Sequence, residues 1–201
     1  SAKATPSFLG YEGYPASACI SVNDVVIHGI PQKSQILKKG DIVSIDVGAC
    51  YQGFHGDNAW TFPCGEISPE ARALLDAAEK SLFLGIEQAR PGNRIGDIGH
   101  AVQEYVEARS YSVVREFTGH GVGADMHEDP SVPNFGVPGR GVRLTPGMVI
   151  AIEPMINMGR REIEIKPDGW TVVTRDGSLS AHFEHTIAIT KEGPVILTLP
   201  E

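Results

Sequence analysis

DIVSIDVGACYQGFHGDNAWTF, residues 41–62, is the stretch of sequence that decides the fold. Apolar and polar side chains alternate on both sides of a turn at residues 51–53, and this pattern predicts two antiparallel strands. Because neighbouring side chains of a strand point to opposite faces, Asp46 and Asp57 share one face of the hairpin. That face would also carry Ser44, Ala59 and Thr61, and the opposite face Val43, Ile45, Val47, Asn58, Trp60 and Phe62.

The composition is that of an ordinary globular protein. Of 201 residues, 41% are hydrophobic and 21% are charged, so we expect residues 1–201 to form one domain around a sizeable core. A net charge of −8 and a pI near 5.3 argue against a phosphate-binding surface, and no nucleic-acid partner is expected. No run approaches the roughly 20 apolar residues of a membrane span, so we expect no membrane partner either.

The cysteines indicate a reducing compartment. Cys19, Cys50 and Cys64 are odd in number and lack CxxC spacing, so we interpret them as free thiols. The first residues, SAKATPSFLG, lack the charged and apolar regions of a secretory signal. Together these features predict a cytoplasmic location.

The middle of the chain predicts two amphipathic helices. Ser68 suits an N-cap, Pro69 suits the first helical position, and the RPG at residues 90–92 ends the first helix. A second helix follows and closes near Ser110. The apolar stripe of the first helix consists of Ala71, Leu74, Leu75, Ala78, Leu82 and Ile86, and that of the second of Ile95, Ile98, Val102, Tyr105 and Val106.

The rest of the chain is glycine-rich and strand-like, with turn chemistry at residues 167–169 and 176–177. Strands followed by two helices and further strands predict an α+β architecture, with the helices packed on one face of a sheet. We expect antiparallel strands in residues 111–123, 147–154, 169–175 and 181–190, and a loop at residues 129–141.

Two aspartates on one hairpin face repel each other unless the face is solvated or a cation lies between them. From the hairpin alone both interpretations stay open. Downstream, His120 lies between glycines, and Glu153 and Glu184 stand in apolar runs, where an unpaired charge is costly. Taken singly, each of these could be a loop histidine or a surface charge.

Taken together, these residues predict a metal centre. Four carboxylates and one imidazole, without a thiolate, suit two divalent ions of Mn, Fe, Co or Zn, whose charges would cancel those of the carboxylates. Hydrolytic enzymes use paired ions of this kind, and a metal-bound hydroxide attacks the substrate. The predicted ligands are Asp46, Asp57, His120, Glu153 and Glu184.

Five motifs follow one another along the chain: GYEGYPASACISVNDVVIHGIP (10–31), SIDVGACYQGFHGD (44–57), FTGHGVGADMHEDP (117–130), IEPMIN (152–157) and FEHTIAIT (183–190). Together and in this order they closely resemble the motifs of type I methionine aminopeptidases. The resemblance implies the pita-bread fold, in which two pseudo-symmetric α+β halves surround a central antiparallel sheet and a dinuclear metal site. It also implies that Asp57 and Glu184 bridge the ions, that Asp46 completes one site, and that His120 and Glu153 complete the other.

The same resemblance implies a substrate and partners. The family removes the initiator methionine from nascent polypeptides whose second residue is small, and the ribosome is a further candidate partner of a monomeric enzyme. His28 and His127 would lie near the scissile peptide, and Glu153 would take a proton from the nucleophile, with His127 as its rival. Tyr11, Tyr14, Cys19 and Trp170, with Phe8 and Met126 behind them, would line the methionine pocket, although each could equally be core.

Two alternatives and one departure accompany this resemblance. Prolidases and Xaa-Pro aminopeptidases share the fold, but the GYxGYPxSxCxSVN block is typical of methionine aminopeptidases. A metal-free binding module is disfavoured because all five ligands are present. Family members begin with a helical segment ahead of the position where this chain starts, so we expect either a longer chain or a sheet face covered in another way.

Overall fold

An α+β architecture is confirmed by the computed structural model, which describes residues 3–199. The helices are α1 (Pro69–Gln88) and α2 (Ile95–Glu107), with a 3-10 turn at Tyr11–Gly13. The strands are β1 (Thr5–Pro6), β2 (Cys19–Val22), β3 (Val25–Ile27), β4 (Ile42–Tyr51), β5 (Phe54–Pro63), β6 (Ser112–Val113), β7 (Gly119–Gly121), β8 (Glu128–Val132), β9 (Val149–Ile152), β10 (Met155–Asn157), β11 (Ile163–Ile165), β12 (Val172–Thr174), β13 (Ser180–His182), β14 (His185–Ile189) and β15 (Pro194–Ile196).

The β4–β5 hairpin runs through ten residue pairs without a bulge. Its turn contains Gln52 and Gly53, whose φ angles of +51° and +84° are left-handed, as tight hairpin turns require. The unbroken register keeps Asp46 and Asp57 on one face, as predicted. Because Asp57 lies opposite Gly48, the two aspartates are diagonal neighbours and not a directly opposed pair.

The aspartate-bearing face of the hairpin points into the molecule. Ser44, Ala59 and Thr61 on this face are all buried, whereas Val47 and Phe62 on the more apolar face are 47% and 45% exposed. The small and polar side chains lie inside because β13 and β14 pack over them. The solvated interpretation of the aspartates is therefore excluded.

Both predicted helices are confirmed. Ser68 Oγ accepts a hydrogen bond from Ala71 N at 3.1 Å, and Pro69 opens α1. The predicted apolar positions of both helices are buried, apart from Tyr105, which is partly buried. α1 packs on α2 and on β9, β10 and β13. Across residues 3–199, no helix has the length and the apolar character that crossing a membrane requires.

The antiparallel strands are distributed over four sheets. β4 carries β5 on one edge and both β1 and β2 on the other. The remaining sheets have the strand orders β15-β14-β9-β7-β8, β13-β10-β6 and β11-β12-β3. Cys19, Cys50 and Cys64 are free thiols, as predicted.

Two neighbouring strands are interrupted at the same level. β9 and β10 are separated by residues 153–154, and β13 and β14 by residues 183–184. Because β9 pairs with β14 and β10 with β13, the two gaps face each other, and Phe183 N donates to Pro154 O at 3.3 Å. We call these gaps the strand breaks. The single strand predicted for residues 181–190 is therefore wrong.

The loop predicted for residues 129–141 is wrong at its start. β8 spans Glu128–Val132 and pairs with β7 at the edge of the five-stranded sheet. An edge strand tolerates Pro130, because no further strand needs the N–H that proline lacks. Proline and polar residues therefore concealed a short strand in this segment.

Candidate active site

One cavity of about 370 Å³ lies between the hairpin, the strand breaks and the loops before β2 and after β7. All the predicted site residues line it, although they come from distant parts of the chain. They are Phe8, Tyr11, Tyr14, Cys19, His28, Asp46, Asp57, His120, Met126, His127, Glu153, Trp170 and Glu184. Ile27, Phe117 and Thr118 also line the cavity and were not foreseen from the sequence.

The hairpin positions two of the predicted ligands, Asp46 and Asp57. The Asp57 side chain is buried, and its main-chain N–H donates to Thr186 Oγ1 at 2.9 Å. The same hydroxyl donates to Asp57 O at 2.8 Å. A single threonine of β14 therefore holds the main chain of Asp57 against the neighbouring sheet.

His120 is presented by β7, which lies between β8 and β9. A Cβ atom at Gly119 would meet Ala151 O, and one at Gly121 would meet Asp129 O, so the flanking glycines allow strands, and not a ligand, to approach closely. His120 Nδ1 donates to Gly121 O at 2.9 Å, which leaves a lone pair on Nε2. This Nε2 points at the carboxylates, 3.6 Å from Glu153 Oε1 and 3.9 Å from Asp57 Oδ2.

The strand breaks supply Glu153 and Glu184. Glu184 N donates to Ala59 O of the hairpin at 2.8 Å, and Glu153 O accepts from Asn134 Nδ2 at 2.9 Å. Ligand atoms of Asp57, His120 and Glu184 all lie within 4.8 Å of one another. The breaks thus bring their carboxylates to those of the hairpin.

Burial and then the charge of Glu153 raise the pKa of Asp57 to about 8, and burial raises the pKa of Glu153 to about 7. The pKa values of Asp46 and Glu184 are raised for the same reasons. Asp46 Oδ1 and Glu184 Oε1 have no hydrogen-bond partner, and the part of the cavity wall that the structure describes contains no lysine or arginine. Divalent cations fit this donor set, because they bring the positive charge that the wall lacks.

Two further histidines reach the cavity. His127 Nδ1 lies 2.9 Å from Tyr11 Oη, and its ring centroid lies 4.1 Å from that of His120. His28 has a left-handed φ of +59°, a strained value that clusters at functional sites, and packs edge-on against Trp170. Burial lowers the pKa of His28 to about 4 and also lowers the pKa of His127. Both imidazoles are therefore mainly neutral at pH 7 and carry one N–H each.

The apolar end of the cavity is a separate cluster. Phe8, Tyr14, Cys19 and Met126 are buried together, and Trp170 packs against them. The Tyr14 ring lies edge-on to Phe8 and Trp170, with centroid distances of 6.5 and 5.1 Å. Burial raises the pKa of the Cys19 thiol to about 12, so the thiol stays neutral. These residues are both packed and open to the cavity, so core and pocket are not exclusive alternatives here.

His182 is the site residue that the sequence reasoning missed. Its side chain is 2% exposed, and its Nε2 lies 3.2 Å from Glu153 Oε2. Burial lowers its pKa to about 3. The signal was present in the alternation, because His182 lies two residues before Glu184 and so shares its face, while Phe183 fills the core on the other side.

Residues 3–191 match the model of metallopeptidase family M24. Methionine aminopeptidase from Clostridium perfringens (strain 13 / Type A) is 60% identical over 196 residues, which are 98% of this chain and 78% of the relative. The crystal structure of methionine aminopeptidase from Thermotoga maritima is 49% identical, with a TM-score of 0.97 over 98% of this chain and 80% of that chain. These similarities confirm the pita-bread fold that the motifs imply.

A prolidase has the same fold at greater distance. The prolidase from Pyrococcus furiosus is 24% identical, with a TM-score of 0.74 over 92% of this chain and 49% of that chain. A likeness at this level of identity extends to the fold alone. The prolidase alternative therefore gains no support at the level of activity.

Proposed function

The chain belongs to metallopeptidase family M24 and acts as a methionine aminopeptidase, and we propose that it does so with two divalent ions held by five residues. The observation that carries this proposal is that four carboxylates and one imidazole line one cavity, with no lysine or arginine in the described cavity wall. The five residues are Asp46, Asp57, His120, Glu153 and Glu184. Asp57 and Glu184 would be shared between the two ions, Asp46 would serve one ion, and His120 and Glu153 would serve the other, as the resemblance to type I methionine aminopeptidases implies.

When bound, two divalent ions polarise the scissile carbonyl and lower the pKa of a bound water, and this activates the water for hydrolysis. Glu153 accepts a proton from the attacking water and returns it to the leaving nitrogen as the peptide C–N bond breaks. His127 also takes part in this proton transfer, and the 2.9 Å contact between its Nδ1 and Tyr11 Oη orients the imidazole ring. His28 donates a hydrogen bond to the substrate beside the reacting carbonyl.

The apolar cluster receives the methionine side chain. Tyr14, Cys19 and Trp170 offer a wall that suits a flexible thioether, and Phe8 and Met126 pack behind it. The single O–H of Tyr14 lies within hydrogen-bond distance of both Ala18 O and Gly29 O, at 3.2 and 3.1 Å, so the hydroxyl is satisfied and the ring presents an apolar surface.

The wider setting of the enzyme stays a prediction. We propose that residues 1–201 form one catalytic domain and that the substrates are nascent polypeptides with a small second residue. A cytoplasmic location, a monomeric state and contact with the ribosome are further predictions. The metal is one of Co, Mn, Fe or Zn, since carboxylates and one imidazole suit each of them.

Peptides beginning Met-Ala and Xaa-Pro, offered with and without a chelator, test this function. We expect methionine release from the Met-Ala peptide, its loss on chelation and its return when Mn, Co, Fe or Zn is added back. Faster cleavage of the Xaa-Pro peptide would identify a prolidase. A purified protein without bound ions or metal-restored activity would identify a binding module.

A further inference from the structure

The main chain of His182 is held by neighbours on both sides. Its main-chain N–H donates to Thr61 Oγ1 at 2.9 Å, and its carbonyl accepts from the same hydroxyl at 2.8 Å. On the other side, β13 pairs with β10, and Met155 lies opposite His182. The hairpin and β10 together therefore determine where the imidazole points.

The two oxygens of Glu153 face two different imidazoles. Oε1 lies 3.6 Å from His120 Nε2, and Oε2 lies 3.2 Å from His182 Nε2. His120 Nε2 bears a lone pair, because Nδ1 donates to Gly121 O. His182 Nε2 has no aligned hydrogen-bond partner within the described chain, so Glu153 Oε2 is the partner within its reach.

We propose that His182 is a positioning residue for Glu153: its Nε2–H donates to Oε2 and turns Oε1 towards the metal centre. This inference rests on the proposed function, and in it His182 does not touch the ions. Carboxylate ligands are commonly held by such outer hydrogen bonds, and their loss costs about 10–100-fold in metal affinity or activity. The imidazole thus links the hairpin, through Thr61, to the carboxylate of the other strand break.

Three variants test the donor. His182→Leu removes the N–H at similar volume, His182→Gln restores an N–H, and His185→Leu removes a buried imidazole that packs on Trp60 and Phe83 instead. Each chelator-treated protein is titrated calorimetrically with Mn²⁺, and kcat and KM are measured on a Met-Ala peptide.

We expect His182→Leu to lose about 10–100-fold in affinity for one of two Mn²⁺ ions and in kcat, with KM nearly unchanged. We expect His182→Gln to recover most of both losses, and His185→Leu to match the wild type in both. Wild-type Mn²⁺ affinity in His182→Leu, or no recovery of affinity and kcat in His182→Gln, would overturn this inference and leave the proposed function intact. A wild-type protein that binds none of Mn²⁺, Co²⁺, Fe²⁺ and Zn²⁺ would overturn the proposed function as well.

NMR of the Zn²⁺-loaded wild type with ¹⁵N-labelled histidine decides the matter if His182→Leu does not fold. The inference requires a proton directly bonded to His182 Nε2 in the loaded protein. An Nε2 without a proton would have nothing to donate to Glu153 and would overturn the positioning role.

Discussion

The β4–β5 hairpin and the strand breaks supply the same kind of side chain by opposite means. The hairpin is local and regular, with ten consecutive residue pairs, and its alternation alone brings Asp46 and Asp57 to one face. The strand breaks are irregular, and Glu153 and Glu184 stand where pairing is interrupted. Regular strand pairing therefore positions the carboxylates of the hairpin, whereas an interruption of strand pairing positions those of the strand breaks.

This difference shows how a buried acidic centre is made compatible with a core. At the breaks, Glu184 reaches the cavity while its neighbour Phe183 fills the core and packs edge-on to Trp60 of the hairpin at 4.8 Å. Polar bonds then tie the two regions together, since Thr61 bonds His182 and Thr186 bonds Asp57. Four variants test how far each region depends on the other.

Asp57→Asn should have the largest effect. Asparagine keeps the shape but loses the charge of a proposed bridging ligand, so turnover should fall at least about 1,000-fold, equivalent to about 4 kcal/mol. Turnover of a Met-Ala peptide and metal content give the measurement. Circular dichroism should show a retained fold. Near-normal methionine release would remove Asp57 from the metal centre.

Gly119→Ala should disturb the strands beside the breaks. Its Cβ would collide with Ala151 O of β9, and the backbone must shift, at a cost of about 3 kcal/mol in unfolding free energy. Urea unfolding measures the loss. Gly56→Ala on the hairpin is the matched control, because open space surrounds its Cβ position. Equal losses of unfolding free energy in Gly119→Ala and Gly56→Ala would show that close strand packing at Gly119 does not distinguish it from the hairpin position.

Thr186→Val should loosen the tie between the regions. Valine keeps the shape, but the buried N–H and C=O of Asp57 lose their partner, at a cost of about 2 kcal/mol in unfolding free energy. The affinity for metal ions should also fall, because Thr186 no longer holds the main chain of Asp57 in place. Thr190→Val, in a turn where the hydroxyl bonds Gly193 O, should cost less than about 1 kcal/mol. Wild-type unfolding free energy and metal affinity in Thr186→Val would show that the hairpin alone positions Asp57.

Gly53→Ala should have the smallest effect. Alanine at a φ of +84° costs about 1 kcal/mol, because its Cβ crowds the backbone in the left-handed region. Thermal unfolding would record the loss, while kcat and metal stoichiometry should stay at the wild-type level. A fall in kcat would show that the turn governs the spacing of Asp46 and Asp57.

The sequence predicted the features that depend on neighbouring residues and missed one that depends on distant strands. The caps of α1, the hairpin turn and the apolar helical stripes were predicted, because each depends on contacts between residues close in sequence. The division of residues 181–190 into two strands was missed. It depends on pairing with β9 and β10, which local alternation does not register.

By itself, the sequence determined that Asp46 and Asp57 share one face and that His182 and Glu184 share another, because the side-chain period of an extended chain is two. Only the tertiary structure decided that the less apolar face of the hairpin lies inside, that the two breaks face each other, and that His182 reaches Glu153. Alternation specifies two faces but not which one is covered. The covering strands, β13 and β14, are distant in sequence, and only packing brings them to the hairpin.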